Sequence, residues 1–288
     1  MRIAVASGKG GTGKTTLSVS LALSYQGSVT LLDCDVEEPN AALFLSGKDA
    51  RTIPVTVPIP VIDESLCTHC GACARSCEFN AIVHIGTTVM VFPELCHSCG
   101  GCALACPASA IREVDSPIGE MAEMTVISGA GTEPLILIQG LLSIGKAMSP
   151  PVIRAVKKRG EEIAHALTVI DCPPGTSCPM GTAVADADFV ILVTEPTPFG
   201  LHDLDIAVRT VRKMGLQFGV VINRSDSGDD RVVRYCASEG IDILLSIPQD
   251  MRIARAYSEG RPLVDSSPEY REILSGLIDK VIAQGGSR

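Results

Sequence analysis

The sequence predicts an α/β protein, a mostly parallel, doubly wound sheet interrupted by a small cysteine-rich α+β unit. Three observations predict it. Short apolar runs alternate with helix-patterned stretches along most of the chain, a glycine-rich loop joins the first run to the first helix, and eight of the twelve cysteines fall between residues 67 and 106. Of the 288 residues, 46% are hydrophobic and 20% charged, the balance of a chain that buries a real core.

Taken in order, Arg2 to Val5 is a short strand that runs into Gly8-Lys9-Gly10-Gly11-Thr12-Gly13-Lys14-Thr15, and Thr16 to Ser24 has the apolar spacing of a helix. Val29 to Leu32 is a strand ending in Asp33-Cys34-Asp35. The rhythm resumes with strands at 135–138, 167–170, 189–193, 218–222 and 243–247. Helices are expected at 152–158, 204–214, 230–238 and 251–258. Strands alternating with helices argue for a parallel sheet covered on both faces.

The rhythm fails between about Pro54 and Pro117, where Pro54, Pro58 and Pro60 exclude a helix and the cysteines follow. The expected division is residues 1–53 and 117–288 for the α/β domain, with 54–116 inserted after its second strand. The insert repeats itself. Cys67, Cys70, Cys73 and Cys77 map onto Cys96, Cys99, Cys102 and Cys106 at an offset of 29, and Gly71 and Ala81-Ile82 map onto Gly100 and Ala110-Ile111.

The first motif fits G-x-x-x-x-G-K-[ST] between a strand and a helix, the context a phosphate-binding loop needs. Glycines let successive backbone N–H groups face a phosphate, and the helix N-terminus adds a positive dipole end. Gly8, Gly10, Gly11, Thr12, Gly13 and Thr16 would form the cradle. Lys14 would reach the outer phosphates, and the Thr15 hydroxyl would ligate Mg²⁺. Carboxylates at strand ends, Asp33, Asp35 and Asp171, stand where α/β sheets hold ligands.

Cys67-x2-Cys70-x2-Cys73-x3-Cys77 and Cys96-x2-Cys99-x2-Cys102-x3-Cys106-Pro107 have the bacterial ferredoxin spacing for two [4Fe–4S] clusters. Because the fourth ligand comes from the other run, one cluster takes Cys67, Cys70, Cys73 and Cys106. The other takes Cys96, Cys99, Cys102 and Cys77. Structural zinc is the alternative, and it favours two separated C-x2-C pairs. Glu78 stands where the second run has proline, adding a negative charge that lowers a neighbouring potential. Of the other thiols, Cys236 reads as a small hydrophobe, and Cys34 and Cys172 as pointing into the sheet.

The loop with its second lysine, Gly8-Lys9-Gly10-Gly11-Thr12-Gly13-Lys14-Thr15-Thr16, resembles that of the deviant Walker A P-loop ATPases, the superfamily of MinD, ParA, the Mrp scaffolds and the nitrogenase iron protein. The resemblance implies ATP and Mg²⁺ as ligands and a homodimer in which Lys9 crosses to the neighbouring subunit's phosphates. It also implies that Asp33 stands near the Mg²⁺ shell, Asp35 activates the attacking water, Asp171 holds a magnesium-bound water and Gly175 gives an N–H to the γ-phosphate. Asn223 and Asp250 are turn residues as readily as ligands when taken singly. In their order with Arg224 and Pro248 they match the family's adenine-side segments. With the insert, the chain resembles MinD-superfamily ATPases carrying a ferredoxin domain, and Gly140 to Gly145 and Met148 to Arg154 also look like that group. Cys178, seven residues after Asp171, has the spacing of the iron protein's bridging-cluster ligand but lacks its second cysteine.

Three functions follow from this reading. The first is an ATPase whose dimer switch is coupled to electron transfer toward a redox or complex partner protein. The second is a MinD/ParA-like positioning or assembly regulator with redox-sensing clusters, and the third an Mrp-like cluster carrier. A net charge of −9, 3% aromatic residues and no Trp argue against nucleic-acid binding. The absence of a long apolar run, a secretion-type start and a basic amphipathic end sets the expectation of a cytoplasmic chain without stable membrane insertion.

Overall fold

The structure is a computed structural model and describes residues 1–126 and 134–285. Strand β1 (Arg2–Ala6), helix α1 (Lys14–Ser24) and β2 (Val29–Asp33) open the chain, and a 3-10 turn (Ala41–Phe44) leads to β3 (Gly47–Ile62). The cysteine region contributes α2 (Ala72–Arg75), the hairpin β4 (Ile82–Ile85) and β5 (Thr88–Val91), and α3 (Gly101–Leu104). Then come β6 (Ile111–Val126), β7 (Leu135–Leu142), α4 (Pro150–Ile163), β8 (Leu167–Asp171), α5 (Cys178–Val184) and β9 (Phe189–Thr194). The chain continues through α6 (Pro198–Lys213), β10 (Phe218–Asn223), α7 (Arg231–Glu239), β11 (Ile243–Ile247), α8 (Met251–Ser258) and α9 (Glu269–Gly285).

Among the described residues, nine strands form one sheet in the order β11-β10-β9-β1-β8-β2-β7-β6-β3. The first seven in that order run parallel, and β6 and β3 are antiparallel additions at one edge. Alternation within β1 shows how the two cores arise. Ala4 and Ala6 join a cluster capped by Val156 of α4, Met180 of α5, Leu204 of α6 and Val232 of α7, whereas Ile3 and Val5 join one capped by Leu17 of α1 and Leu274 of α9. A parallel sheet buried on both faces reads as continuous apolar strands, the pattern of β2, β8 and β9. Among the described residues no helix is long and apolar enough to cross a membrane.

Helix α6 begins earlier than its apolar spacing predicts, because Pro198 and Gly200 read as breakers. Pro198 sits in the first turn, where a missing N–H costs nothing, and the Thr197 hydroxyl accepts the Gly200 N–H at 3.0 Å as the N-cap.

The expected boundaries at 54 and 116 fall inside continuous strands. Strands β3 and β6 pair along their length, from Gly47 opposite Val126 to Ile62 opposite Ile111, with a bulge at Val55/Thr56. Near the bulge the ribbon divides in function. Residues 119–126 pair with β7 and belong to the main sheet, and the outer half carries residues 63–110. Proline-rich β3 is the edge strand, the place where a residue without an N–H is tolerated.

The sequence repeat is also a backbone repeat. His69 and Ser98, and likewise Asn80 and Ser109, share a left-handed φ of 51–54°, and Gly71 and Gly100 have φ of 68° and 73°. The repeats exchange strands: Asp63 N–H donates to Ala110 O at 2.7 Å, and its counterpart Phe92 N–H donates to Ala81 O at 2.8 Å.

Candidate functional site

A cavity of about 790 Å³ opens at the C-terminal edge of the sheet, lined by Gly10, Gly11, Gly13, Lys14, Thr15 and Thr16 from the loop before α1. Asp35 borders it after β2, Asn223 and Arg224 after β10, and Pro248 and Asp250 before α8. The structure thus brings most of the sequence-expected nucleotide residues together. Gly8, Lys9, Thr12, Asp33, Asp171 and Gly175 do not line this cavity.

Close packing dictates the loop's shape. Gly13 has φ 93°, and a Cβ there would stand 2.5 Å from Nδ2 of Asn223, which donates to Thr12 O at 2.8 Å. Asn223 therefore braces the phosphate loop against β10 as well as lining the cavity. A Cβ on Gly8 would meet the Asp203 carbonyl at 2.3 Å, so α6 also requires glycine beneath the loop.

The three aspartates separate into distinct roles. Asp33 is fully buried, with Oδ1 accepting the Asp35 N–H at 3.2 Å and Oδ2 the N–H groups of Asn40 and Ala41 at 3.0 Å. It organises the turn after β2, and both of its oxygens, expected near the magnesium shell, are already engaged by backbone N–H groups. Burial, then the charge of Asp171, holds its carboxyl well above the usual range. Asp171 is fully buried too. Oδ1 accepts the Ser18 hydroxyl at 2.9 Å, whereas Oδ2 has no partner. Burial raises its pKa to about 6 against the lowering influence of Thr15 and Lys14. Burial also raises Asp35 to about 6, opposed by Lys14. An orphaned oxygen on the Asp171 carboxyl, which Thr15 and Lys14 influence, fits a hydrated Mg²⁺.

The remaining residues are committed within the chain. Gly175, at φ 88°, donates its N–H to Ser7 O at 3.1 Å. Asp250 is the N-cap of α8, accepting from Arg252 N at 2.7 Å, and the Arg252 guanidinium holds its carboxyl below the usual range. Lys9 Nζ meets Glu195 Oε2 at 3.3 Å, and Arg224 Nη1 meets Glu195 Oε1 at 2.8 Å. Sequence reading missed Glu195, a nearly buried carboxylate just past β9 that lines the cavity. The strand-end rule that selects Asp171 selects Glu195 as well. Glu38 and Asn40, also lining residues, carry no such signal.

At the far end of the ribbon, Cys67, Cys70, Cys73 and Cys106 line a second cavity with Ile62, Val89 and Ile111. This is the four-cysteine set expected to share one cluster. The Sγ atoms of Cys77 and Cys106 accept N–H groups of Ala81 and Ala110 at 3.3 Å, and Cys96 Sγ accepts the Ser98 N–H at 3.4 Å. Such donors suit thiolates. Among the described residues, no three His, Cys, Asp or Glu side chains converge tightly enough for one metal ion. Cys34 and Cys172 are buried in the sheet as expected, and Cys178 is exposed at the start of α5. His97 stacks on Phe79 with ring centres 3.7 Å apart.

The family described as "CobQ/CobB/MinD/ParA nucleotide binding domain" matches residues 3–263. The chain belongs to this family. An uncharacterized protein of Methanocaldococcus jannaschii is 32% identical over 284 residues, covering 98% of this chain and 96% of the relative. An iron-sulfur cluster carrier protein of Pyrococcus horikoshii is 25% identical over 306 residues, covering 97% and 86%. Among solved structures, the cell division ATPase MinD of Pyrococcus furiosus aligns with a TM-score of 0.57 at 21% identity, covering 97% of this chain and 98% of that one. The septum site-determining protein MinD of Pyrococcus horikoshii, complexed with Mg-ADP, gives 0.57 at 20% identity over 100% and 99%. These likenesses establish the P-loop α/β fold for the MinD/ParA-like domain.

Proposed function

We propose that this protein is a homodimeric, Mg²⁺-dependent ATPase that couples a nucleotide-driven switch to electron transfer through two [4Fe–4S] clusters on the ribbon. In this reading Lys14 neutralises the outer phosphates and Thr15 and Asp171 hold the hydrated Mg²⁺. Asp35, ionised above pH about 6, orients the attacking water. Lys9 leaves Glu195 for the partner's phosphates. When bound, the clusters supply one-electron chemistry, and the eight cysteines of the two runs hold them.

The observation that carries the coupling is a short chain of backbone hydrogen bonds. Val36, next to Asp35, accepts the Leu142 N–H at 2.8 Å, and Ser143 N–H donates to Ile118 O at 2.9 Å, where the ribbon leaves the sheet. Packing there is tight: a Cβ on Gly140 would meet Val36 Cγ1 at 2.6 Å, and one on Gly119 would meet Leu141 O at 2.4 Å. A rearrangement at Asp35 therefore has a rigid route to the base of the cysteine ribbon.

The test is an EPR-monitored redox titration of the anaerobically prepared protein with and without MgATP. A nucleotide-dependent change in midpoint or line shape is the expected result; identical titrations would leave two uncoupled modules. A second reading, cluster delivery, draws on the relatives named iron-sulfur cluster carrier proteins. Rapid transfer of iron and sulfide to an apo-acceptor would favour it over electron transfer.

A further inference from the structure

The two halves of the cysteine unit repeat in backbone, so charges that break the repeat stand out. At the offset of 29, Arg75 corresponds to Leu104 and His84 to Glu113. Each pair flanks its own loop. A Cβ on Gly71 would lie 2.9 Å from His84 Nδ1 and 3.1 Å from Arg75 Nη1, and Arg75 Nη1 donates to Cys70 O at 3.0 Å. The matching position on Gly100 faces Glu113 Oε1 at 3.9 Å, and Leu104 is 89% exposed. Glu78 directly follows Cys77, the ligand that the second site borrows from the first repeat. At the matching places, one site thus has a guanidinium and an imidazole beside its glycine, and the other has the carboxylate of Glu113, with Glu78 next in sequence to its borrowed cysteine.

We propose that this asymmetry orders the two sites: the set Cys67, Cys70, Cys73 and Cys106 has the higher reduction potential and takes the electron first, with Arg75 and Glu113 as the tuning residues. The inference rests on the cluster reading above. Reduction adds one negative charge to a cluster already surrounded by four thiolates. A neighbouring cation stabilises that product, and neighbouring carboxylates oppose it. Both tuning groups are exposed, so the difference widens as ionic strength falls.

The test uses the whole chain, prepared anaerobically and assayed first for iron and acid-labile sulfide. Dithionite serves as the one-electron donor, oxidised to sulfite as each cluster gains one electron and no proton. EPR titration at low salt is expected to resolve two midpoints. Arg75→Leu lowers the upper one alone, Glu113→Gln raises the lower one alone, and Leu104→Arg raises the lower one toward the upper. A single shared midpoint, an Arg75→Leu shift confined to the lower signal, or a Leu104→Arg shift in the upper signal overturns the ordering and leaves the cluster assignment intact. Iron well below about eight atoms per chain overturns the cluster assignment, and the ordering with it.

Discussion

The nine-stranded sheet buries an apolar cluster on each face, with Ile3, Leu31 and Ile191 on one side and Ile138, Ile170 and Leu192 on the other. The unit at the end of the ribbon has a small core of Cys73, Ile82, Val89 and Cys102, two of them thiols. Its surface leaves Leu66, Leu95 and Leu104 more than half exposed. The first region is held by burial that needs no ligand. The second is of the size at which a bound metal group supplies the missing stability. On the cluster reading proposed above, the first region stands alone and the second depends on what it binds.

Removing iron is the strongest way to break that comparison. Hydrogen exchange of iron-depleted protein should show amides of residues 63–110 losing protection while β1, β8 and β9 keep theirs. Equal protection in both forms would mean that the cysteine unit holds itself. The reciprocal perturbation is Lys14→Ala. ATP hydrolysis should fall by about 10²–10³-fold, the scale of losing one preorganised charge, with iron content unchanged. Hydrolysis at the wild-type rate would discard the proposed catalytic cavity.

The link between the regions can be strained directly. Gly119→Ala pushes a methyl toward Leu141 O at the ribbon base, with an expected cost of about 1–3 kcal/mol. Thermal unfolding should report that loss, and any MgATP effect on the cluster signal should shrink. A full nucleotide response in the variant would move the route elsewhere.

Asp171 sharpens the contrast between stability and function. With its pKa raised from 3.8 to about 6, burial favours the protonated form. Its contribution to ligand-free stability is complete below pH about 4 and is lost as pH rises through about 6. Asp171→Asn should flatten that part of the stability–pH curve and raise melting temperature at pH 7.5, yet abolish Mg²⁺-dependent hydrolysis. A variant less stable than the parent at pH 7.5 would contradict this. The smallest effect belongs to Cys178→Ser. An exposed thiol outside both cysteine sets should change stability by less than about 0.5 kcal/mol and leave iron content as it was.

Much of the molecule is legible in its sequence. The seven parallel strands follow from apolar runs, because strands buried on both faces must be apolar throughout. The phosphate loop is equally readable, since glycine spacing reports backbone conformations that few other residues adopt. The 16-residue strands β3 and β6 were not: three prolines on β3 argue against a strand unless it lies at an edge, and edge position is a tertiary fact. Nor did Asp33 reveal that it would face backbone N–H groups while Asp171, its register partner on β8, keeps an oxygen free.

By itself the sequence determined the α/β class, the glycine loop with Lys14, and the twofold cysteine spacing, because each depends on local periodicity or on fixed ligand separation. The tertiary structure alone decided that Glu195 gathers Lys9 and Arg224, that Asn223 braces the loop, and that Val36 connects through β7 to the ribbon. Those contacts join residues from 29 to more than 200 positions apart. Only the closing of the sheet brings them within hydrogen-bonding distance, and no local pattern encodes which side chains then meet.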